Sequence, residues 1–337
     1  MNNKKCTVYC VNSIKGGCGK TTVALSLTYT IMQDLEAKYR DNTDLCEDEN
    51  DNNDNKPKVC YIDLDILGTG VEYIIYGENS EAKYYNDIEY KLNSYEQIEE
   101  YINKIDRVGS DIPIDCILLS ADAKKKKNFL KGNHNYNSDK NMNVFLKRTE
   151  NLLKLLINEK GYDAIIIDSS PSYDDFPREI YRFLKNLSIE SLDENKSINR
   201  VYNLFISTLE NSHILTTISS LVDLMKSEDV ESENIRLILN DTTNYFNDKK
   251  IKNKISKDEL IKKVLETYDK VYRKYLKDIG SDYEPAEQTF KESCILFKKY
   301  CAISQKNIFT RGEQLNGIKD YEYIIDDNLS LLNGDET

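Results

Sequence analysis

The chain has 337 residues, of which 39% are hydrophobic and 31% charged, and its formal net charge is −12. This length and apolar content allow a sizeable core with polar insertions around it. The acidic balance argues against a uniformly basic nucleic-acid-binding protein, although a local basic patch can override the global sum.

The first predicted elements are a strand, a glycine-rich loop and a helix. An apolar run at 7–11 leads into the loop, and apolar residues at helical spacing begin at Val23. In this context backbone N–H groups and the helix N-terminus form a phosphate cradle. The Lys20 ammonium can reach the β- and γ-phosphates, and the Thr21 hydroxyl can bind Mg²⁺. The predicted nucleotide-binding residues are consecutive: Gly16, Gly17, Cys18, Gly19, Lys20, Thr21 and Thr22.

The loop departs from the ordinary phosphate-binding pattern at two positions. Ile14 stands where the first glycine is usual, and a second lysine, Lys15, follows it. This Lys-Gly-Gly-x-Gly-Lys-Thr form resembles the deviant Walker motif of the ParA/MinD family of ATPases. The resemblance implies an α/β fold with a mostly parallel twisted sheet, and ATP with Mg²⁺ as ligands. It also implies an ATP-dependent homodimer in which Lys15 of each protomer reaches the nucleotide of the other.

The second predicted strand ends in two carboxylates, Asp63 and Asp65. Because side chains alternate along a strand, both carboxylates lie on the same side, at the end where α/β sheets bind ligands. The family resemblance implies that this Asp-x-Asp element faces the γ-phosphate and the attacking water. Asp65 is our candidate for positioning the water, and the sequence leaves Asp63 open as its rival.

The middle of the chain mixes polar insertions with short periodic segments. Polar insertions are predicted near 41–56 and 123–143. Apolar spacing predicts a helix near 95–105, a strand over 112–119 and an amphipathic helix over 144–157.

The segment from Tyr162 to Pro171 matches a Walker B strand. Its apolar run ends in Asp168, which we expect to act on Mg²⁺ through water. The Asp-Ser-Ser-Pro-Ser ending resembles the Asp-x-Pro-Pro-Ser of ParA proteins, with Ser170 in place of the first proline.

After the Walker B strand, helices and strands alternate, which predicts a parallel sheet covered on both faces. Asn240, at the end of the last strand, resembles the family position whose asparagine recognises adenine, since an amide can donate and accept at once. An asparagine that caps the next turn is the alternative. The predicted elements are a helix over 174–187, a polar loop over 188–199, a strand over 201–207, a helix over 213–225 and a strand over 235–240.

The C-terminal third carries a lysine-rich helical pattern over 249–277 and an acidic tail over 320–337. Acidic residues interleave with the lysines, so a solvated helix and a DNA or partner contact both remain open. Anionic lipid would repel the acidic tail, which argues against membrane binding. The motifs predict one ParA-like domain over residues 1–337, with no membrane-spanning segment or signal peptide, in the cytoplasm.

Cysteine usage bears on the choice among branches of the family. The eight cysteines form no Cys-x-x-Cys pair, and several lie in apolar runs, so we expect buried reduced thiols. Iron–sulfur relatives need ligand cysteines near the dimer axis, whereas Cys116 lies inside an apolar strand. Bacterial tyrosine kinases of this fold end in tyrosine clusters, and the tail here has only Tyr321 and Tyr323.

The resemblance therefore implies an ATP-hydrolysing dimerisation switch for plasmid, phage or chromosome partition. Expected partners are nonspecific DNA and a ParB-like stimulating protein. The alternative is a MinD-like or other positioning or scaffold ATPase whose ATP dimer recruits a protein and not DNA.

Overall fold

The computed structural model describes 15 segments or single positions of the chain. They are residues 6–43, 56–65, 71, 75, 82–85, 95–107, 110–120, 138–171, 175–190, 198–208, 210–227, 235–240 and the isolated helical positions 266, 270 and 273.

The described residues form a seven-stranded sheet in the order β3-β4-β2-β5-β1-β6-β7. Every neighbouring pair is parallel except β3 and β4, which run antiparallel at one edge. The predicted mostly parallel α/β sheet is therefore confirmed. The strands are β1 (Cys6–Ser13), β2 (Val59–Leu64), β3 (Asn103–Arg107), β4 (Ser110–Ile117), β5 (Ala164–Pro171), β6 (Ile198–Thr208) and β7 (Ile235–Asn240).

Helices cover both faces of this sheet. One apolar cluster joins the sheet to α1, and the other joins it to α3, α4 and α5. Strand β5 contributes Ile166 to the first cluster and Ile165 to the second, so its side chains are buried on both sides. The helices are α1 (Lys20–Thr43), α2 (Tyr95–Glu99), α3 (Ser138–Leu155), α4 (Asp175–Glu190) and α5 (Asn211–Ser227), and a π-helical turn over Leu156–Lys160 extends α3.

Strand β1 lies at the point of the sheet where the chain connections reverse direction. It lies between β5 and β6, and the chain leaves it on one side toward β2 and returns on the other side through β6. Ligands of open α/β sheets bind beyond the carboxyl ends of the strands at such a switch point. The loop that follows β1 begins there, so the fold places the predicted phosphate cradle at the expected edge.

Three sequence predictions were wrong in their element type or extent. The helix predicted near 95–105 stops at Glu99, and β3 follows, because Ile105 pairs with Ile114 of β4 and both are buried. The insertion predicted from residue 41 begins later, since α1 continues through Thr43. The insertion predicted through 143 overlaps α3, which starts at Ser138. The apolar pattern marks only the part of each helix that packs on the sheet. Backbone hydrogen bonds continue α1 and α3 beyond that part.

Other boundaries agree within a few residues. Helix α4 continues to Glu190 and β6 begins at Ile198, so the predicted polar loop over 188–199 is shorter at both ends. The remainder of both insertions, the acidic tail and most of 249–277 lie outside the described residues. The cysteines within the described residues are buried and form no disulfide with one another, as predicted: Cys6, Cys10, Cys18, Cys60 and Cys116.

Within the part of the chain that the structure describes, no helix is long and apolar enough to cross a bilayer.

Candidate nucleotide-binding site

The loop between β1 and α1 has the backbone of a phosphate cradle. Gly17 and Gly19 have φ angles of 80° and 79°, in the left-handed region that glycine adopts without steric cost. The Val23 N–H donates to the Gly19 carbonyl at 3.0 Å, which starts the helix directly after the loop. A Cβ at Gly16 would meet no atom within 4 Å, so the space beside the loop is open. A ligand can therefore approach the backbone there.

Lys20 is the first residue of α1 and lies over the carboxyl ends of β2 and β5. Its Nζ forms an ion pair with Asp168 and lies 3.4 Å from Oδ2 of Asp65. Burial by itself would lower the pKa of Lys20, but the charges of Asp168 and Asp65 outweigh it and raise the pKa. The site therefore holds a permanent cation at the end of the cradle.

The three strand-end carboxylates fall into one cluster. Asp63 pairs in register with Asp168 across β2 and β5, so both side chains lie on the same level of the sheet. Oδ1 of Asp63 accepts a hydrogen bond from the Asp65 N–H at 2.9 Å. Burial and the charge of Asp168 raise the pKa of Asp63 to about 8. Asp63 is therefore mostly protonated at neutral pH, while Asp65, with a side chain 14% exposed, reaches Lys20 directly.

The oxygen atoms near the loop suit a magnesium ion that arrives with a nucleotide. Asp168 is buried and faces a cation already, and the Thr21 hydroxyl lies half-buried in the first turn of α1. No three Asp, Glu, His or Cys side chains of the described segments are grouped to hold a metal by themselves. Mg²⁺ ordinarily takes one or two carboxylates and completes its shell with phosphates and water. The available donors fit that mode of binding.

The other predicted lysine lies on a different side of the loop. Lys15 is half-buried, and its charge contributes to lowering the pKa of Glu210, after the hydrogen bond from Ser212 and the charge of His213. Lys15 is therefore near the start of α5, and Lys20 is the lysine that contacts the carboxylate cluster. The structure thus gives the two lysines different surroundings.

Cys18 anchors this side of the loop. Its side chain is 2% exposed, and its Sγ lies 3.5 Å from Nδ1 of His213, the third residue of α5. The same ring nitrogen lies 2.7 Å from Oγ1 of Thr208, at the end of β6. His213 therefore links the phosphate loop to β6 and α5, a role that the sequence did not indicate.

Asn240 ends the edge strand β7, and its backbone is in register with Thr208 of β6. Because β6 separates β7 from β1, Asn240 lies at the same edge of the sheet as the phosphate loop but two strands away.

Two polar arrangements in the site escaped the sequence analysis. Tyr61 donates a hydrogen bond to Oδ2 of Asp168 at 2.9 Å. Asn12 donates to Oδ1 of Asn203 at 2.5 Å, and Ser169 bonds to Asn12, which joins β5, β1 and β6. The period-2 pattern of β2 could have revealed Tyr61, because it lies two residues before Asp63 on the same face.

No protein-family model and no curated protein matches this chain. A Borrelia burgdorferi B31 protein assigned to plasmid partition, with AMPPNP bound, is similar at 19% identity over 99% of this chain and 100% of its own, with a TM-score of 0.49. A structure of pNOB8 ParA on nonspecific DNA has 14% identity over 98% and 99% of the two chains, also with a TM-score of 0.49.

A third similar structure is the MinC:MinD cell division complex of Aquifex aeolicus. It has 15% identity over 86% of this chain and 94% of its own, with a TM-score of 0.43. At these identities and TM-scores, the three structures are only similar to this chain. The strand order and the glycine loop after β1 agree with the predicted α/β fold with a mostly parallel sheet.

Proposed function

We propose that this chain is a Mg²⁺-dependent, ParA/MinD-like P-loop ATPase whose nucleotide state controls its own dimerisation. The observation that carries the proposal is the cluster at the end of the phosphate loop. There the Lys20 ammonium is held by Asp168 and Asp65, and the space beside Gly16 of the same loop is open. The phosphates of an incoming triphosphate would pair with Lys20 in place of the two carboxylates. Asp168 would then be available to hold Mg²⁺, and Asp65 to orient water.

Each side chain of the cluster then has a defined role in phosphoryl transfer. Lys20 and the loop N–H groups neutralise the phosphates, which is the main contribution in such reactions. Asp168, acting through water, and the Thr21 hydroxyl would hold Mg²⁺, and the ion supplies charge stabilisation between the β- and γ-phosphates. Asp65 would orient the attacking water, because it is more exposed than Asp63 and its side chain contacts Lys20.

Lys15 is proposed to act across a dimer. Its position near Glu210 and Cys18, away from the carboxylate cluster, supports a role other than binding the nucleotide of its own protomer. A second lysine supplied by the partner adds positive charge where negative charge develops, which couples hydrolysis to the dimer. Asn240 is proposed to recognise adenine from the end of β7.

For the biological role, we propose DNA partition or cargo positioning, with nonspecific DNA and a ParB-like stimulating protein as partners. The support is the Lys-Gly-Gly-x-Gly-Lys-Thr motif and the lysine-rich pattern over 249–277. Within that range the structure describes Glu266, Lys270 and Arg273, which are helical and exposed. A dimer would double such a basic surface and so oppose the repulsion expected from a net charge of −12 per protomer.

The test measures dimerisation and cargo binding separately. Light scattering with Mg²⁺ and ATP, ADP or no nucleotide should give a dimer with ATP alone. A gel shift with random-sequence DNA should then require ATP and weaken steeply with salt, because phosphate contacts release counterions. Vesicles with anionic lipid should not sediment the protein. A monomer under all nucleotide conditions would refute the switch, and an ATP dimer that ignores DNA at low salt would favour the protein-recruiting alternative.

A further inference from the structure

We propose that Tyr61 is a positioning residue for the Walker B carboxylate, which is an inference that rests on the proposed Mg²⁺-dependent nucleotide binding. Its hydroxyl holds Asp168 in one orientation through Oδ2 and would leave the other oxygen, Oδ1, to act on a bound Mg²⁺. Residues of this kind do not touch the ligand and act through the group that does.

The two oxygens of Asp168 have different partners. Oδ2 accepts the hydrogen bond from Tyr61 at 2.9 Å, whereas Oδ1 faces the ammonium of Lys20. When a triphosphate attracts Lys20, Oδ1 loses its cation and becomes the free acceptor. The Tyr61 bond points away from that oxygen and can persist in both states.

Tyr61 is well suited to hold a carboxylate still. The residue is 0% exposed, in the apolar cluster between the sheet and α1, so its ring has little freedom to move. Asp63 and Asp168 are in register. Tyr61 therefore lies on the same face of the sheet as Asp168, on the adjacent strand and two residues nearer its amino end. A rigid ring on one strand thereby sets the side-chain angle of a carboxylate on the next.

The same arrangement occurs a second time, away from the phosphate loop. The hydroxyl of Tyr162 donates to Oδ2 of Asp115 at 2.7 Å, and Oδ1 of Asp115 forms an ion pair with Lys104. Asp115 is in register with Cys60, three residues before Asp63, so it lies about 10 Å nearer the amino ends of the strands. This second Tyr–Asp–Lys group is a matched control, because it is equally polar and its tyrosine is equally buried.

The experiment compares Tyr61→Phe with Tyr162→Phe, and each variant removes one hydroxyl group. Melting temperatures are recorded without ligand, then with AMPPNP in EDTA, and then during a Mg²⁺ titration at saturating AMPPNP. Removing a hydrogen bond that orients a direct metal ligand weakens metal binding about 10-fold or more. Because Asp168 would hold the ion through water, the effect here should lie at the low end of that range. For Tyr61→Phe we expect the Mg²⁺ concentration at half-maximal stabilisation to rise about 10-fold. Stabilisation by AMPPNP in EDTA should stay at the wild-type value.

Tyr162→Phe should lower the melting temperature of the free protein and leave the Mg²⁺ midpoint unchanged. An unchanged or lower Mg²⁺ midpoint in Tyr61→Phe would overturn the inference while leaving the proposed function intact. Equal shifts in both variants would also overturn it, because they would reflect general destabilisation. If the wild-type protein shows no stabilisation by AMPPNP and Mg²⁺, the proposed function itself fails, and the inference fails with it.

Discussion

Replacing Asp63 by asparagine should stabilise the nucleotide-free protein by about 2 kcal/mol more at pH 8 than at pH 6. Asp63 is 3% exposed, and burial together with the charge of Asp168 raises its pKa from 3.8 to about 8. Between these two pKa values the unfolded chain has lost the proton and the native protein still binds it. Native stability therefore falls as the pH rises through this window.

The magnitude follows from the proton difference. One proton bound only in the native state changes the free energy of unfolding by about 1.4 kcal/mol per pH unit. From pH 6 to pH 8, with half the native carboxyl ionised at the end, Asp63 should remove about 2 kcal/mol. Asparagine cannot ionise, and its carbonyl oxygen can still accept the hydrogen bond from the Asp65 N–H, which spans 2.9 Å. The variant should therefore gain about 2 kcal/mol over wild type across this range.

Urea unfolding followed by circular dichroism, in EDTA at both pH values, measures this double difference. Asp115→Asn serves as a control, because its carboxylate is paired with Lys104 and its removal should destabilise the protein at both pH values. Parallel pH dependences for wild type and Asp63→Asn would refute the assignment of a protonated Asp63. They would also return Asp63 to the role of a charged carboxylate near the attacking water.

Four further predictions test the proposed roles. Lys20→Ala should abolish nucleotide binding by calorimetry and lower the stability of the free protein by about 3–5 kcal/mol, since Asp168 would remain buried without its cation; wild-type ATP affinity would contradict the loop assignment. Lys15→Ala should bind ATP normally yet stay monomeric by light scattering, and a normal ATP dimer with normal turnover would make Lys15 a simple loop residue. Asp65→Ala should keep ATP binding and lose at least about 100-fold in turnover, whereas a loss confined to Asp63→Ala would reverse the two carboxylates. A variant of the lysine-rich segment carries glutamate at Lys249, Lys250, Lys252 and Lys254. It should bind DNA more weakly and with a smaller salt dependence, while its ATP dimer is unaffected. DNA binding equal to wild type would place the contact elsewhere.

Features that depend on residues close together in the chain could be predicted from the sequence. The strand, the loop glycines and the first turn of α1 are contiguous, so their spacing was enough to predict the cradle around Lys20. Period-2 alternation likewise placed Asp63 and Asp65 on one side of β2. Alternating strands and helices predicted a parallel sheet, because such connections need crossover helices.

Contacts between segments that are distant in the chain depend on how the strands and helices pack. The pairing of β3 with β4 converted a helical pattern into an edge strand, since burial of Ile105 against Ile114 outweighs local propensity. The register between β2 and β5 brought Asp168 level with Asp63 and put Tyr61 within reach of it. The pKa of Asp63 also depends on tertiary structure, because burial and the charge of Asp168 raise it. Asp168 lies 105 residues from Asp63 in the chain, so the sequence did not show that the two are neighbours. Local spacing in a sequence carries no information on such distances, and the packed sheet sets them.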